Sequence, residues 1–526
     1  HAELSAIVEE RLKVKLPSNF RDTLHTPSDL KTFILEQSGR GFPIVLDDLN
    51  DNSSNTLPRS AMMLLQGIGI VLHLMLLAIA LCTASVVTPI SSIINPAEFE
   101  NYEVFLHPLI IPTFVGTLSA LVIIAKWTVV GRYRSQRIRV YSVSYLRWWF
   151  IDRLVHLWEV WVGPLVIGTP IICLFYRLLG CELHPRTEVK AFIREFDLVT
   201  IKGNTVVKKP IRCRRFGPWE KESGPTLRFR SIVIGSHCRV DGMVSLGSVV
   251  GDDVHIDKLT VLSEGAQVGS KTHAVGNPAF DDGSGTFMNE DVSYALQGMK
   301  LIWLIVEIYL FLALFWVSRT MFVGQLLHRW RYGELTLVIL VALSTSFLSL
   351  NLSAALKWIF IGCRNTKDRL DPSLWVKFCD WACDYHFLAS APLFLTFAGD
   401  SRIWNIFLML HGMDIDMRSA LSSGYFSFMP SVVDQVVVRR SFLANWLSFR
   451  DGDKVEIVDS TAGYGSVFSG GVKLHRSSTR VYADVQESVS DDFPRSSSSD
   501  SSVGRIVVGE IVWLIYAMLF CVSFIP

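Results

Sequence analysis

The sequence predicts a multi-domain membrane protein: α-helical transmembrane spans hold a cytoplasmic left-handed parallel β-helix of hexapeptide repeats, behind a small helical N-terminal segment. Three observations carry this. Aliphatic residues recur every six positions between Ser231 and Phe280, long apolar runs occur in pairs, and the charge balance reverses across the first pair. Half of the 526 residues are hydrophobic and the mean hydropathy is +0.34, more apolar than soluble domains allow. A net charge of +1 offers no field for nucleic acid, which is not expected as a partner. Nine cysteines without a repeating CxxC pattern point to free thiols in a reducing compartment.

The sixfold series runs Ile234, Val240, Leu246 and, after a two-residue slip, Val250, Ile256, Leu262 and Val268. Small or β-branched residues follow four positions later at Cys238, Val244, Val254, Thr260, Ala266 and Thr272. That period fits neither a helix nor an alternating strand, but fits short strands and turns stacked coil on coil. Gly235, Gly247 and Gly269 suit tight corners. A weaker run at Leu183, Val189, Ile201 and Val207 fails once, at Glu195. The basic stretch from Lys208 to Arg228 between the runs is expected to be a loop.

In chain order, residues 1–39 show helical spacing at Leu4, Ile7, Val8 and Leu12, a break at Leu16-Pro17, and a second helix from Thr26-Pro27-Ser28. The pattern resembles the latter part of an acyl or peptidyl carrier domain, against the alternative of an unrelated helical hairpin. By that resemblance a phosphopantetheine-bearing serine lies just before His1, and the chain is expected to be a piece of a longer polypeptide. Residues 40–60 are a polar linker. The first transmembrane pair falls in 61–130, each run long enough for about 30 Å of hydrocarbon. Glu98, Glu100 and Glu103 lie in the connection, whereas Arg132, Arg134, Arg137, Arg139, Arg147 and Arg153 follow the pair, placing the latter side in the cytoplasm.

Within 131–180 an aromatic, arginine-bearing stretch predicts an interfacial helix, followed by a segment broken at Pro164, Gly168 and Pro170. That segment is re-entrant or interfacial in preference to a third crossing. The β-helix occupies 181–285. A second pair of spans (300–362), a second interfacial segment (363–412) and a degenerate β-helix-like domain (413–485) follow. A serine-rich linker (486–504), expected to be disordered, leads to a fifth span in 505–526.

An internal repeat underlies this order. Lys126-Trp127 to Gly131 recurs as Lys357-Trp358 to Gly362, Arg177 to Gly180 answers to Met409 to Gly412, and Val199 to Lys209 is aligned with Ser431 to Arg440. The motif order Lys126 to Arg132, Ser144 to Trp149, Gly168 to Pro170, Arg177 to Gly180, Asp197 to Ile201 and Gly276 to Ala279 resembles the ε-poly-L-lysine synthetase family of nonribosomal-peptide-synthetase-like membrane proteins. Those members have six spans and three tandem cytoplasmic domains, against five and two here. The resemblance implies a carrier-bound aminoacyl or acyl thioester transferred to an amine acceptor. It further implies an upstream adenylation domain that uses ATP and Mg, with the chain's own carrier and adenylation domains and membrane lipid as partners; a homo-oligomer and pairing of the tandem units within one chain are the alternatives for assembly.

Such transfer needs a base for the amine and a donor for the oxyanion. His237 is the first candidate base and His255 the second, with the plain alternative of solvated corner residues; His184 lies in the weaker run. Asp241, Asp253, His273, Gly276, Asn277 and Pro278 are candidate substrate contacts, and Asp252, Asp257 and Glu264 lie on the same coils. The alternative for the carboxylates is a soluble charged face. Lys208, Lys209, Arg212, Arg214 and Arg215 suit an acidic carrier surface or anionic lipid. Cys379, Cys383 and His386 have ligand-like spacing, but the segment matches the interfacial helix, and no metal site is expected. Two other functions compete: a coenzyme-A-dependent acyltransferase acting on a small molecule, and a non-catalytic membrane scaffold.

Overall fold

A computed structural model of the protein describes residues 41–45, 51–52, 56–87, 107–217, 225–283, 292–326, 333–363, 372–399, 401–422, 428–445, 447–450, 452–480 and 482–490. The chain divides into two compact units, His1–Gln297 and Gly298–Pro526. The carrier-like segment 1–39, the acidic turn near Glu98, most of the serine-rich linker and the fifth apolar run lie outside the described residues.

Among the described residues, four helices are long and apolar enough to cross a membrane: Arg59–Val87 (α1), His107–Val129, which contains α2 (Ile110–Val129), Tyr294–Thr320 within α6 (Tyr294–Leu326), and Leu340–Phe360 within α7 (Gly333–Phe360). The first three windows are 17%, 11% and 17% buried, as befits surfaces that face a non-aqueous phase, but the fourth is 50% buried and is therefore lined by other protein elements. After α2, helix α3 (Val143–Trp161) begins at Ser142, whose Oγ accepts the Tyr145 N–H. Breaks at Pro164 and Gly168 leave two short helices, α4 (Gly163–Val166) and α5 (Pro170–Leu178). Trp158 of α3 stacks on Phe175 of α5 at 3.9 Å, so these helices bury their aromatics against one another.

The first unit then forms three parallel sheets; each coil adds one strand to the first two, and the third is shorter. One face is β3 (Glu182–Leu183), β6 (Val199–Ile201), β11 (Ile232–Ile234), β13 (Val249–Val250) and β15 (Gln267–Val268). The second is β4 (Thr187–Val189), β7 (Thr205–Val207), β12 (Arg239–Val240), β14 (His255–Ile256) and β16 (His273–Val275). The third is β5 (Ile193–Arg194) with β8 (Ile211–Arg212), continued by a parallel bridge from Met243 to Val261. Glu182 pairs with Thr200, Thr187 with Thr205 and Ile193 with Ile211, a step of eighteen residues, or three hexads, per coil. Ile201, Ile234, Val250 and Val268 point inward and are buried, which is why the aliphatic period survives in the sequence. Gly235 is required by close approach: a Cβ there would lie 2.3 Å from the Gly251 carbonyl of the next coil. The two-residue slip is a coil of sixteen residues, in which Val233 pairs with Val249.

The described residues of the basic stretch are largely strand. Lys208 directly follows β7, with its N–H on the Val240 carbonyl of the next coil, and Ile211–Arg212 is a strand of the third face. Only the chain beyond it leaves the stack, as a hairpin of β9 (Arg214–Phe216) and β10 (Thr226–Phe229). β10 pairs antiparallel with β2 (Gln136–Arg139), and β2 pairs with β1 (Asp51–Asn52), so arginines expected on a basic flank build a four-stranded sheet. Residues 41–45 cross the last coil: Gly41 pairs with Phe280 of β17 (Phe280–Asp281), itself antiparallel to β16, and Ile44 pairs with Ala266 beside β15. Both exposed edges are thereby covered.

The second unit repeats the plan. Helix α8 (Leu374–Ala398) and α9 (Arg402–Leu410) precede three parallel sheets. These are β18 (Asp414–Ile415), β20 (Val436–Arg439), β23 (Val455–Val458), β26 (Lys473–His475) and β28 (Val489–Ser490); β19 (Ala420–Leu421), β21 (Phe442–Leu443) and β24 (Thr461–Ala462); and β22 (Ser448–Phe449), β25 (Val467–Phe468) and β27 (Asp484–Val485). Here Asp414 pairs with Val437, five residues further on than the equivalent step in the first unit. The structural counterpart of Val199 is therefore Val436, each preceded by a short 3-10 turn, and not Ser431 as sequence alignment suggests.

Candidate functional site

The repeat motif has a concrete role in both units. Trp127 Nε1 donates to the Leu178 carbonyl at 2.8 Å, and Trp358 Nε1 donates to the Leu410 carbonyl at 2.7 Å. Each lysine beside them is fully buried under its tryptophan, Lys126 at 3.5 Å and Lys357 at 4.1 Å from the ring centroid. Lys126 Nζ is 2.9 Å from Asp197 Oδ2, whereas Lys357 Nζ donates to the Gly362 carbonyl at 2.8 Å. Glu195, where the aliphatic series fails, is not a defect. It sits at φ 54° in a buried ion cluster, where it binds Arg214 and accepts from Trp148 Nε1 at 3.2 Å. Asp152 and Glu159 of α3 hold Arg194 in the same cluster, which ties helix α3 to the stack.

The predicted catalytic histidines are not brought together. His237 occupies a corner at φ 55°, in one column with Asn204 (56°), Asp253 (58°) and Lys271 (60°) on neighbouring coils. The turn demands left-handed backbone there, which Asn, Asp and His tolerate, so the residue type has a structural cause. His237 lines an open cleft of about 500 Å³ together with Glu182, His184, Lys202, Asn204 and Ser236. Asp252 accepts the Ser236 N–H at 2.7 Å and thereby closes the next corner.

His255 stands on the second face, in register with Arg239 and His273. The His255 and His273 rings stack at 4.9 Å, 13° from parallel. His273 Nδ1 lies 2.7 Å from Asp282 Oδ2, and the Asp282 N–H donates to the His273 carbonyl at 3.2 Å. Burial pushes the His255 pKa down to about 4; Asp241 opposes this, while Arg239 and His273 add to it. Its imidazole is therefore neutral at physiological pH. Next in the same direction come Lys208, 3.2 Å from buried Asp241, and Arg239 Nε, 3.0 Å from the other Asp241 oxygen. Burial favours the neutral form of Asp241, but Lys208 and then Arg239 outweigh it and hold the carboxyl at about 2. Burial pushes Lys208 down to about 8; Asp241 opposes this, and Arg239, Lys190 and Lys258 add to it.

The remaining candidates have framework roles. Glu264 lies 3.3 Å from Arg228, 3.4 Å from Arg230 and 3.6 Å from Arg215, so it anchors the inserted hairpin. Gly276, at φ 86°, accepts the Val261 N–H through its carbonyl at 3.1 Å, and with exposed Asn277 and buried Pro278 makes the turn into β17. Lys209, Arg212 and Arg215 are exposed, whereas Arg214 belongs to the buried cluster. Cys238 is buried, which pushes its thiol up to about 11 and leaves it protonated, away from nucleophilic work. Cys379, Cys383 and His386 are buried in α8, and no group of three metal-ligating side chains occurs among the described residues. Sequence reasoning missed Asp282, because it lies past the hexads; its proximity to His273 arises only when β17 folds back on β16. No family model matches the chain, and no curated protein matches it.

Proposed function

We propose that the first unit is an acyltransferase held at the cytoplasmic face of a membrane by α1 and α2. Its three-faced stack would be a left-handed parallel β-helix, and its second face would transfer a carrier-bound aminoacyl or acyl thioester to an amine. The observation that carries this is the His255–His273–Asp282 arrangement at the edge crossed by residues 41–45. Gly41 is one strand beyond Phe280, and Phe280 is one strand beyond Val275, so Gly41 leaves the sheet roughly 10 Å from the β16 strand. The segment read as carrier-like ends two residues earlier in the sequence, so a carrier there would be tethered to this face by a short stretch of chain.

Each residue has a physical task. A phosphopantetheine arm would supply the activated thioester, and the cations Lys190, Lys208, Arg239 and Lys258 around the face suit its phosphodiester. Asp282 holds Nδ1 of His273 and would stabilise the imidazolium formed once Nε2, buried in this structure, is uncovered and takes the proton of the attacking amine. The carbon–nitrogen bond forms as the carbon–sulfur bond breaks, and the same proton passes to the leaving sulfur, so the step balances. His255, neutral and stacked, adds no positive charge of its own against the His273 ring. His273 thus replaces His237 as the favoured base, and the His237 cleft is left as a site for the rest of the arm or the acceptor.

The cationic rim suits coenzyme A equally well, so the donor is what separates the readings. Full-length protein extended upstream through its carrier, loaded and mixed with a radiolabelled primary amine, is expected to form amide, whereas free acyl-coenzyme A is not. Amide formation from coenzyme A alone would support the small-molecule acyltransferase. Asp282→Asn should lower the single-turnover rate by about 10²-fold; a scaffold would form no amide at all.

A further inference from the structure

We propose that the short helix ahead of each stack, α5 in the first unit and α9 in the second, lays its outer face in the acyl-chain layer of the membrane, so that each stack meets lipid through the helix that closes its first coil. It rests on the reading of α1, α2 and α7 as membrane spans and on nothing in the transfer chemistry.

Both helices use one face to close the open end of a stack. On α5, Phe175 and Tyr176 are buried, Tyr176 Oη accepts the Ile193 N–H at 3.1 Å, and Arg177 Nε donates to the Leu183 carbonyl at 2.8 Å. On α9, Phe407 and Leu408 are buried, and Asn405 Nδ2 donates to the Ser419 carbonyl at 2.9 Å. The residues left exposed are Ile171, Leu174 and Leu178 on α5, and Ile406, Met409 and Leu410 on α9. A surface helix that meets water carries polar side chains on that side. Aligned on Gly180 and Gly412, the two helices share only three identical residues of nine, yet each keeps its outer face apolar.

Two observations identify lipid as the cover. The first is continuity with the spans. Ile124 and Trp127 of α2 are both exposed, one turn apart, and the Trp127 indole reaches the Leu178 carbonyl, so the bare surface of α2 runs on to α5. Trp358 and Ile359, at the end of α7, are exposed and lead to Leu410 in the same way. The second is the indole bond itself. The Leu178 and Leu410 carbonyls lie in the last turn of their helices and have no partner inside them. Water would satisfy them at an aqueous surface, whereas in an apolar layer the protein must do so, and tryptophan is the side chain that favours that boundary. Arg132 and Arg134, just beyond α2, are exposed and suit anionic headgroups.

The arrangement sets how far the stack stands from lipid. The second face of the first unit runs β4, β7, β12, β14, β16, so His273 lies four strand steps, roughly 19 Å, from the coil that α5 closes. Lipid contact and His273 are therefore at opposite ends of the stack.

The test places the photoreactive residue p-benzoylphenylalanine, one position at a time, at Leu174, Ile406, Ile68 and Met243 of the full chain. Each protein is reconstituted in vesicles of phosphatidylcholine and phosphatidylglycerol with tritiated acyl chains, and then illuminated. Ile68 is an exposed apolar residue of α1, and Met243 an exposed apolar residue of the stack. Lipid labelling at Leu174 and Ile406 should come within about twofold of that at Ile68 and exceed that at Met243 by about tenfold. Labelling at Leu174 or Ile406 no higher than at Met243, with Ile68 labelled, would overturn the proposal and leave the spans standing. A crosslinked dimer in place of labelled lipid would overturn it in favour of a second copy of the chain. No label at Ile68 would overturn the reading of α1 as a span, and the proposal with it. No thioester takes part, so none of these outcomes depends on the transfer reading.

Discussion

The two units share a frame and differ in where they place titratable groups. In the first, the second face of the stack presents Arg239, His255 and His273, followed by Lys208, Asp241 and Asp257 on the adjoining positions. In the second, the outward positions of the corresponding face hold Ala420, Phe442 and Thr461, followed by Ser422, Ala444 and Gly463. The helices show the reverse. Leu154 and Trp158 stand to Gly180 as His386 and Ser390 stand to Gly412, so the first unit packs apolar bulk where the second packs an imidazole and a hydroxyl. The lesson is that duplication preserved the Lys-Trp-Gly frame, which costs stability to alter, while the faces it holds were free to diverge.

The frame itself offers the largest test. Lys126→Met would strand Asp197 as a buried charge, and should destabilise the first unit by about 4 kcal/mol, measured by denaturant unfolding in detergent. An effect under about 1 kcal/mol would mean that the Lys126–Asp197 pair is not what locks helix to stack. A smaller contrast comes from the paired glycines. A Cβ on Gly180 would lie 2.3 Å from Asp197 Oδ1, whereas one on Gly412 would lie 3.0 Å from the flexible Lys357 Nζ. Both have positive φ, 105° and 95°, so both alanine variants lose stability. Gly180→Ala should cost about 3 kcal/mol and Gly412→Ala about 1–2 kcal/mol.

Acid should separate the two stacks. The folded pKa of His255 is depressed to about 4, below its ordinary 6.5, so the unfolded chain binds a proton first as pH falls. Stability is then fully present above about 6.5 and is lost through the window down to about 4, by on the order of 2 kcal/mol. Asp241, held at about 2, adds a further loss as pH falls below its ordinary 3.8. Amide hydrogen exchange should show β14 opening in the upper window while β24, which carries Thr461 on the corresponding face, does not; His255→Gln should abolish the difference. The smallest expected effect is shared: Trp127→Phe and Trp358→Phe each remove one indole-to-carbonyl bond and should each cost about 1 kcal/mol. Unequal costs would show that the frame is not equivalent in the two units.

Much of this was legible in the sequence, for identifiable reasons. Inward positions of a stacked coil must be aliphatic, so Ile234, Val250, Ile256 and Val268 betray the stack, and the two-residue slip betrays the short coil. The strands at Gln136–Arg139, Arg214–Phe216 and Thr226–Phe229 were not legible, because their arginines mimic a basic flank and are paid for by long-range partners such as Glu264. His237 attracted attention as a histidine on a coil, yet its backbone angle gives it a reason to be there without catalysis. His273 became the stronger candidate only through Asp282, nine residues away and brought back by an antiparallel turn. The second stack was visible but misaligned by five residues, since its first coil is longer.

The most direct test compares His273→Ala with Thr461→Ala, residues on corresponding faces of the two stacks, in the loaded full-length chain. Single-turnover amide formation should fall by about 10²-fold or more in His273→Ala and stay within about twofold of wild type in Thr461→Ala. Equal rates for His273→Ala and wild type, with the protein folded, would contradict the assignment of transfer to the first unit's stack.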